Sequence, residues 1–546
     1  MSIAEPWLTS RPAAPLRRPP SHSSRAPEAK LFVEAQASRG GEQKSGTLCG
    51  KCGRWTLLLG LASRAATRRG RRCVAHAVEF QSWDDEEESV NAGDDDEDAD
   101  GSDGSGQRER YSHGISSGSW ASIFQREGFD WSQIAGRTEK GPKSNVALII
   151  GYDGSNFKGL QQISDPSGNF FATVESELEL ALLKAGAMLP SNFGNLEKLR
   201  WTRAGRTDAG VSAGCNVVTA RLIVGDGETA LDDLVERVNS FLPPEVLLHS
   251  AAVVTSRFSA RDDGSRRSYR FFVPSFAVVP SIDAMRSALA AINCEDPRGL
   301  GFEELKTLED LAGLRQARVS AETLSRLREA LSCFEGTHYF ANFANAGLAS
   351  KDRQAFRTLR SISCDDPFVD ENGREWLSIT VCADSFLTHQ IRKMIATAAQ
   401  VAQGSLPLDF IKAALNRHVV ACTPRFPPVG LIFLRPYFEC SQRGKVLEET
   451  LSSERVEARI ATWVEQLRVA VMKEAIDGQR WVKWMACAVA WDDDQRRLAQ
   501  KVLQDYENSQ ERQRLRKLEK RASACQVAAI VSSRGEPLWI GRLPWI

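Results

Sequence analysis

The sequence predicts an α+β fold, with a mainly antiparallel mixed sheet and helices packed on it, beginning near residue 143. Short apolar and β-branched runs, which are typical of buried strands, occur among longer segments whose apolar residues recur every three or four positions. These segments do not follow the regular strand–helix–strand alternation of a parallel sheet, and no internal repeat of 20–50 residues is visible. With 546 residues, 42% of them hydrophobic, the chain can form a large core and further segments outside it.

Four runs are predicted as strands, in chain order 146–150, 216–224, 268–276 and 376–383. A helix is predicted to begin after Thr173, whose hydroxyl can accept a hydrogen bond from a free amide of the first turn. Apolar spacing predicts further helices at about 228–241, 321–333 and 389–403, and Gly404 is a natural end for the last one. Residues 281–320 are predicted to be an irregular insertion.

Charge divides the chain into zones, although its 70 Lys and Arg residues balance its 70 Asp and Glu residues. Residues 1–80 hold 14 basic and 5 acidic residues, and this Arg- and Ser-rich composition predicts a disordered transit peptide for a chloroplast or mitochondrion. A tail without a targeting signal is the alternative, with the protein in the nucleus or cytoplasm. Residues 84–103 hold 12 acidic residues and no basic one, which predicts a disordered, solvated linker over 81–142.

The zero net charge excludes a wholly basic nucleic-acid binder but not a local basic cleft. No run of 18 apolar residues occurs, so no membrane span is predicted. Twelve cysteines are too few for a disulfide scaffold and indicate reduced thiols in an intracellular compartment. Cys49 and Cys52 have half the spacing of a zinc site, but no second pair follows, and no metal is predicted.

The sharpest candidate for chemistry is the segment 203–213, where one carboxylate, Asp208, lies among glycines and small residues. Small neighbours would let a bulky substrate approach the backbone. Arg203 and Arg206 could keep Asp208 ionised, as a nucleophile must be. By spacing alone, however, an aspartate in a glycine-rich loop is more often a turn former than a catalytic group.

The string Arg206-Thr207-Asp208-Ala209-Gly210-Val211 resembles the signature of the tRNA pseudouridine synthase A (TruA-like) family. Five further segments resemble other motifs of that family in the same order, namely 151–161, 258–271, 334–343, 385–394 and 428–431. The six matches extend over about 145–440 and are closest to the eukaryotic branch. Ala209 departs from that branch, in which lysine is usual.

The resemblance implies a pseudouridine synthase domain at 143–440, with two similar subdomains, 143–265 and 266–440, on either side of a cleft. It implies isomerisation of uridine to pseudouridine in RNA, without a cofactor, in agreement with the lack of a dinucleotide or phosphate-loop motif. The implied substrate is tRNA, with other RNAs as further candidates, and the implied state is a monomer or homodimer. The alternatives are an inactive RNA-binding or tRNA-chaperone protein on the same fold, and a scaffold whose tail recruits partners.

The resemblance also assigns three catalytic residues. Asp208 would be the nucleophile, or the base that triggers glycal formation, and Arg392 would pair with its carboxylate. Tyr269 would stack on the target uracil and could take part in proton transfer from C5. The structural alternatives are a solvated helix charge for Arg392 and a core or sheet-surface tyrosine for Tyr269.

Four residues are predicted to bind substrate. Arg206 would fill the gap left by the flipped nucleotide or hold its phosphate, a loop ion pair being the alternative. Leu431 would form an apolar floor under the base, a core leucine being the alternative. Arg203 and Arg267 would face the RNA. The wider set of arginines predicted to line an RNA groove is Arg257, Arg261, Arg266, Arg267 and Arg270.

Two histidines, His338 and His389, are predicted to have structural roles only. Residues 441–546 lie outside the resemblance and are predicted to be a charged helical extension, with an amphipathic helix at about 456–471 and a charged helix at 495–521. This extension could dock on the core, bind RNA or bind a partner, a solvated charged helix being the simplest interpretation.

Overall fold

A computed structural model describes residues 142–163, 171–279, 281–345 and 355–533. The predicted transit peptide and all but the last residue of the predicted acidic linker lie outside the described residues. Among the described residues, no helix combines the length and the apolar character that a membrane span requires.

Ten strands form one sheet. In chain order, β1 to β10 comprise Lys143–Tyr152, Thr202–Arg203, Ser212–Ile223, Val246–Val253, Arg266–Pro274, Gly336–Tyr339, Phe356–Cys364, Phe368–Val369, Glu375–Ala383 and Leu431–Tyr437. Their order across the sheet is β4-β1-β3-β10-β5-β9-β7-β6, with β2 beside β3 and β8 beside β9. Every strand pair is antiparallel except β3 and β10. The predicted α+β class with a mainly antiparallel sheet is therefore confirmed.

Ten α-helices accompany the sheet in the described residues. In chain order, α1 to α10 comprise Val174–Lys184, Ala230–Asn239, Ile282–Ala291, Phe302–Leu311, Ala321–Ser332, Gln390–Gln403, Asp409–Ala414, Lys445–Leu451, Glu454–Asp477 and Arg480–Ser533. The four predicted strands and the predicted helices in the core all form, with ends within a few residues of those expected.

Strand β10 lies at the centre of the sheet although it comes last in sequence. It pairs in parallel with β3 at Ile432 and Phe433, and antiparallel with β5 over its whole length. The half of the sheet on the β3 side comes from residues before 254, and the half on the β5 side comes from residues after 265. Since β10 joins the two halves, the edge between them is the natural place for a cleft. The subdomain boundary at 265/266 stays a prediction.

Both faces of the sheet are covered near β1, which explains why this strand is an unbroken apolar run. Leu148 and Ile150 belong to a buried cluster that includes Leu178 of α1 and Leu234 of α2. The alternate residue Ile149 belongs to a second buried cluster on the other face, formed with residues of α8 and α9. The extension after residue 440 thus supplies one of the two layers that cover the sheet.

Local chemistry explains the ends of the predicted helices. The hydroxyl of Thr173 accepts a hydrogen bond from the Ser176 amide at 3.2 Å, and the Ser176 hydroxyl accepts one from the Thr173 amide at 3.0 Å. This reciprocal cap satisfies two amides that the first turn of α1 leaves free. Helix α6 ends at Gly404, which has φ of 83°, a conformation that favours glycine.

The prediction of an irregular insertion at 281–320 is wrong. This segment contains α3 and α4, which bury Met285, Leu289, Leu305 and Leu308 against the core. Each helix is only ten residues long, and Pro297 with two glycines separates them, so neither carries enough turns to show a clear helical period in the sequence.

The C-terminal extension docks on the core, as one of the sequence alternatives proposed. Trp481 is 1% exposed and packs against Phe271 and Phe426, with ring centroids 5.9 and 4.9 Å apart. Leu467 and Val471 of α9 are buried in the same cluster, which confirms the predicted amphipathic helix. Further along α10, the side chains from 510 to 522 are exposed.

We expect Trp481→Ala to lower the free energy of unfolding by about 3–5 kcal/mol, because it removes a buried indole and leaves a cavity beside two aromatic rings. Urea denaturation followed by circular dichroism measures this change. The control is Leu515→Ala on the same helix, where the side chain is 49% exposed, and its effect should stay within about 0.5 kcal/mol. Equal losses in the two variants would contradict docking of α10 through Trp481.

Candidate active site

A cleft of about 700 Å³ lies where the loop after β2, the strand β5 and the start of α6 meet. It brings together every residue that the sequence predicted as catalytic or substrate-binding, namely Arg203, Arg206, Asp208, Arg267, Tyr269, Arg392 and Leu431. Among the residues lining the cleft, six are arginines and two are aspartates, so its wall is basic although the chain is neutral.

Buried hydrogen bonds from β1 and β3 hold the Asp208 loop in place. Asn216 donates from Nδ2 to the carbonyl of Gly205 at 3.0 Å and to the Tyr152 hydroxyl at 3.2 Å. Because that hydroxyl accepts from Asn216, its own proton is available for Thr207 Oγ1, 2.8 Å away. Burial raises the pKa of Tyr152, so the phenol keeps this proton.

The glycines of the opening motif allow it to pack directly on the Asp208 loop. A Cβ atom at Gly154 would lie 2.2 Å from the carbonyl oxygen of Val211. At Gly159, where φ is 95°, a Cβ atom would lie 2.8 Å from the carbonyl oxygen of Thr207. Any larger residue at these two positions would push the two loops apart.

Packing also explains a glycine inside the Asp208 loop itself. Gly205 lines the cleft, but a Cβ atom there would lie 3.1 Å from the ring of Phe433 in β10. Substrate access was the reason predicted from the sequence for the small residues of this loop. The structure adds the close approach of β10 as a second reason.

His389, for which the sequence predicted a structural role rather than a metal ligand, lies beside Asp208. Its Nε2 atom is 3.9 Å from Oδ2 of Asp208, and it lines the cleft. The side chain of Asp208 is 31% exposed, whereas that of His389 is 6% exposed. The sequence signal that could have placed His389 in the cleft is its spacing. It precedes Arg392 by three residues, about one helical turn, so the two side chains can lie on the same side of the chain.

Arg392 is only 1% exposed, so the alternative of a solvated helix charge is wrong. Its Nε atom donates to the carbonyl oxygen of Phe426 at 2.7 Å, which fixes the direction of the guanidinium group at the cleft wall. The guanidinium group thus contributes a positive charge to this wall. The predicted pairing of Arg392 with Asp208 stays a prediction.

Tyr269 forms part of the cleft wall and also packs in an aromatic cluster. Its ring centroid is 4.8 Å from that of Phe433 and 5.2 Å from that of Phe386. Burial raises the pKa of Tyr269, and the charge of Asp208 acts in the same direction, so the phenol is neutral. Leu431 is likewise a core leucine that lines the cleft. Tyr269 and Leu431 are therefore both core residues, as the structural alternatives held, and they also line the cleft in which the sequence placed them.

The guanidinium group of Arg203 is bound to protein. It forms two parallel hydrogen bonds with Glu175 of α1, at 2.6 and 3.0 Å. Glu175 is completely buried and also accepts a hydrogen bond from the Trp201 indole at 2.7 Å. Pairing with Arg203 offsets the cost of burying this carboxylate. The predicted contact of Arg203 with RNA stays a prediction.

Arg267, in β5, stabilises the backbone segments that form the wall of the cleft. Its guanidinium donates to four backbone carbonyl oxygens, those of Ala204, Arg261, Gly264 and Asp384, at 2.7 to 3.4 Å. Burial lowers the pKa of Arg267. The bond to Ala204 ties the Asp208 loop to the second half of the sheet, so this arginine positions the loop in addition to any contact with RNA.

Only part of the predicted arginine groove faces the cleft. Arg261 and Arg267 line it, whereas Arg257, Arg266 and Arg270 are not among the residues that do. Alternation along β5 places Arg266 on the opposite side, where it pairs with Glu439 at 2.5 Å. This matches the alternation expected along a strand, and the predicted contacts of Arg257, Arg266 and Arg270 with RNA stay a prediction. Arg206, which is exposed and lines the cleft, is well placed to meet RNA.

Comparison with known proteins gives the same family as the motifs. Residues 330–439 match the model of the tRNA pseudouridine synthase family. The tRNA pseudouridine synthase 1 of Yarrowia lipolytica is 30% identical over 357 residues, which cover 55% of this chain and 64% of that protein. The Pseudouridylate synthase 1 homologs of Mus musculus and Homo sapiens are 28% and 29% identical, covering 63% and 59% of this chain and 73% and 67% of the relatives. These relatives are eukaryotic, as the motifs predicted.

We expect Tyr152→Phe to lower the free energy of unfolding by about 1–2 kcal/mol, because the Thr207 hydroxyl loses a partner inside the protein. Urea denaturation measures this change. The matched control is Tyr506→Phe, which removes a hydroxyl bonded to Gln510 near the surface at 2.7 Å and should cost less than about 0.5 kcal/mol. If both variants lose the same stability, the buried network does not hold the loop.

Proposed function

We propose that this chain, whose residues 330–439 carry a domain of the tRNA pseudouridine synthase family, is an isomerase that converts uridine in tRNA to pseudouridine. The observation that supports it is the meeting of Asp208, Tyr269 and Arg392 in one basic cleft. In this reaction the bond from N1 of uracil to C1′ of ribose breaks and a bond from C5 to C1′ forms. N1 gains a proton and C5 loses one, so the atoms balance without a redox partner or an external group.

The geometry of the cleft suits a single extruded nucleotide. Its volume of about 700 Å³ lies within the range of pockets that enclose small molecules, about 300–1,000 Å³. A uridine inside an RNA fold is stacked, so it must leave the stack before a side chain can reach its sugar. Tyr269 offers an aromatic surface for the extruded base, and Leu431 offers an apolar one.

Asp208 is the group we assign to start the reaction. As a nucleophile its carboxylate would attack C1′, and as a base it would remove a proton from the sugar and give a glycal. Both routes require the carboxylate to lie beside the ribose, and Arg392 lines the same cleft. The exposed Arg206 would hold the flipped nucleotide or its phosphate.

The basic wall explains how a neutral chain can bind RNA. Arg357 joins the predicted arginines along the cleft, and the positive potential of a cleft acts locally whatever the net charge. RNA substrates are recognised largely by shape and backbone contacts. We expect the protein to act as a monomer or homodimer on tRNA, with other RNAs as further candidate substrates.

We expect Asp208→Asn to reduce pseudouridine formation by at least about 1000-fold, because an amide can neither attack C1′ nor take a proton from the sugar. Unmodified tRNA is incubated with each protein, and pseudouridine is mapped by chemical derivatisation. Filter binding measures tRNA affinity in parallel and should change little. The control is Asp283→Asn, at a side chain that is 93% exposed, and it should have wild-type activity.

The same assays separate the enzyme from its main alternative. A wild-type protein that binds tRNA but forms no pseudouridine would support the RNA-binding or tRNA-chaperone alternative and contradict the proposed activity. An Asp208→Asn protein with wild-type activity would contradict the role of this carboxylate.

We propose that residues 1–80 direct the protein to a chloroplast or mitochondrion, on the basis of their basic, acid-poor composition. A fluorescent protein fused after residue 80 should enter the organelle. The control replaces Arg68, Arg69, Arg71 and Arg72 with glutamate, which removes the positive charge that import requires and should leave the fusion outside. A wild-type fusion found in the nucleus or cytoplasm would contradict the proposal.

A further inference from the structure

We propose that His389 positions Asp208, and that the C-terminal extension holds His389 in place through Arg425. This inference rests on the proposed function, and it assigns roles to residues that lie outside the three predicted catalytic positions. Four side chains carry it, in the order Trp484, Arg425, His389 and Asp208.

The backbone of His389 has an unusual conformation that aims its side chain into the cleft. With φ of 65°, it is one of four non-glycine residues with positive φ in the described part of the chain. This conformation costs free energy for a residue with a Cβ atom, so surrounding contacts must stabilise it. It occurs at the residue just before α6, and the imidazole reaches the cleft wall next to Asp208.

The contact with Arg425 suits one tautomer of the His389 imidazole. Its Nη1 atom lies 2.9 Å from Nδ1 of His389 and 3.4 Å from Nε2, so the shorter contact is with Nδ1. Guanidinium can only donate, so Nδ1 accepts, and the proton of a neutral imidazole is then on Nε2. Nε2 is the nitrogen that lies 3.9 Å from Oδ2 of Asp208.

This arrangement suits a positioning role. A separation of 3.9 Å is longer than a hydrogen bond, but such contacts often shorten when substrate closes a site. An N–H group that faces the carboxylate limits the directions in which the carboxylate can point. His389 therefore acts on the reaction through Asp208 and needs no contact with the uridine.

The C-terminal extension binds the backbone of Arg425. The indole Nε1 of Trp484, in α10, donates to the carbonyl oxygen of Arg425 at 2.8 Å. The Trp484 ring also packs against Phe426, with centroids 4.8 Å apart. The carbonyl oxygen of Phe426 accepts the bond from Arg392 described above. Two consecutive residues, 425 and 426, thus contact His389 and Arg392, which both line the cleft, and α10 binds these two residues.

The chain offers a matched pair of substitutions that tests this support. Trp484→Phe removes the indole N–H that binds Arg425 but keeps an aromatic ring against Phe426. Trp463→Phe is the control, because Trp463 of α9 also belongs to the extension and also donates its indole N–H to a backbone carbonyl, that of Ala213, at 3.2 Å. Ala213 has no contact with Arg425 among the bonds described here.

We expect Trp484→Phe to lower the single-turnover rate at saturating tRNA about 3- to 10-fold, with unchanged tRNA affinity. His389→Asn tolerates the same backbone conformation but is too short to bridge Arg425 and Asp208. It should lower the rate about 10- to 100-fold, the range typical of residues that orient a reactive group. Trp463→Phe should have the wild-type rate. A loss in rate without a loss in affinity distinguishes positioning from a general role in folding.

Failure of this inference and failure of the proposed function give different results. If the wild-type protein forms no pseudouridine in tRNA, the proposed function fails. If the wild type is active and the Trp484→Phe and His389→Asn proteins match its rate, the positioning role is wrong. An equal loss in Trp463→Phe and Trp484→Phe, or a parallel loss of tRNA affinity, would also overturn it. Thermal melting of each variant shows whether the protein is folded at the assay temperature.

Discussion

The site depends on one constraint, which is that a short, partly buried loop must present the Asp208 carboxylate to a cleft while its own backbone groups are hydrogen-bonded. Buried backbone groups are costly unless they are hydrogen-bonded. Three strands share this task, because Asn216 in β3 and Arg267 in β5 bind carbonyl oxygens of the loop, and Tyr152 in β1 binds the Thr207 hydroxyl. Asp208 is therefore held from both halves of the sheet, and its position depends on how those halves meet.

The central strand β10 makes that meeting possible. It pairs with β3 on one side and β5 on the other, and its Phe433 packs against both Gly205 of the loop and Tyr269 of the cleft wall. Since Phe433 is completely buried, the loop and the tyrosine share one rigid support. A late segment of the sequence thus sets the distance between two parts of the site that come much earlier.

The sequence predicted local features of this arrangement better than contacts between residues that are far apart in the chain. Strand β1 and the Thr173 cap follow from local patterns, and they could be predicted from periodicity and capping chemistry. Asp208, Tyr269 and Arg392 were predicted through ordered motifs, which carry information that spacing alone does not. The roles of Arg267 and His389 could not be predicted in this way, because each depends on partners more than 30 residues away whose proximity only the fold creates.

The extension shows how packing far from a cleft can support residues that line it. A sheet whose two faces are both apolar near β1 must be covered on both, and α8 and α9 meet this need for one face. Helix α10 follows α9 directly in the chain. It lies against the segment 425–426, where Trp481 and Trp484 pack around Phe426. Orienting a reactive carboxylate requires neighbours whose own rotamers are locked. A surface loop could not lock Arg425 and Arg392 in this way, whereas a segment packed under two indole rings can.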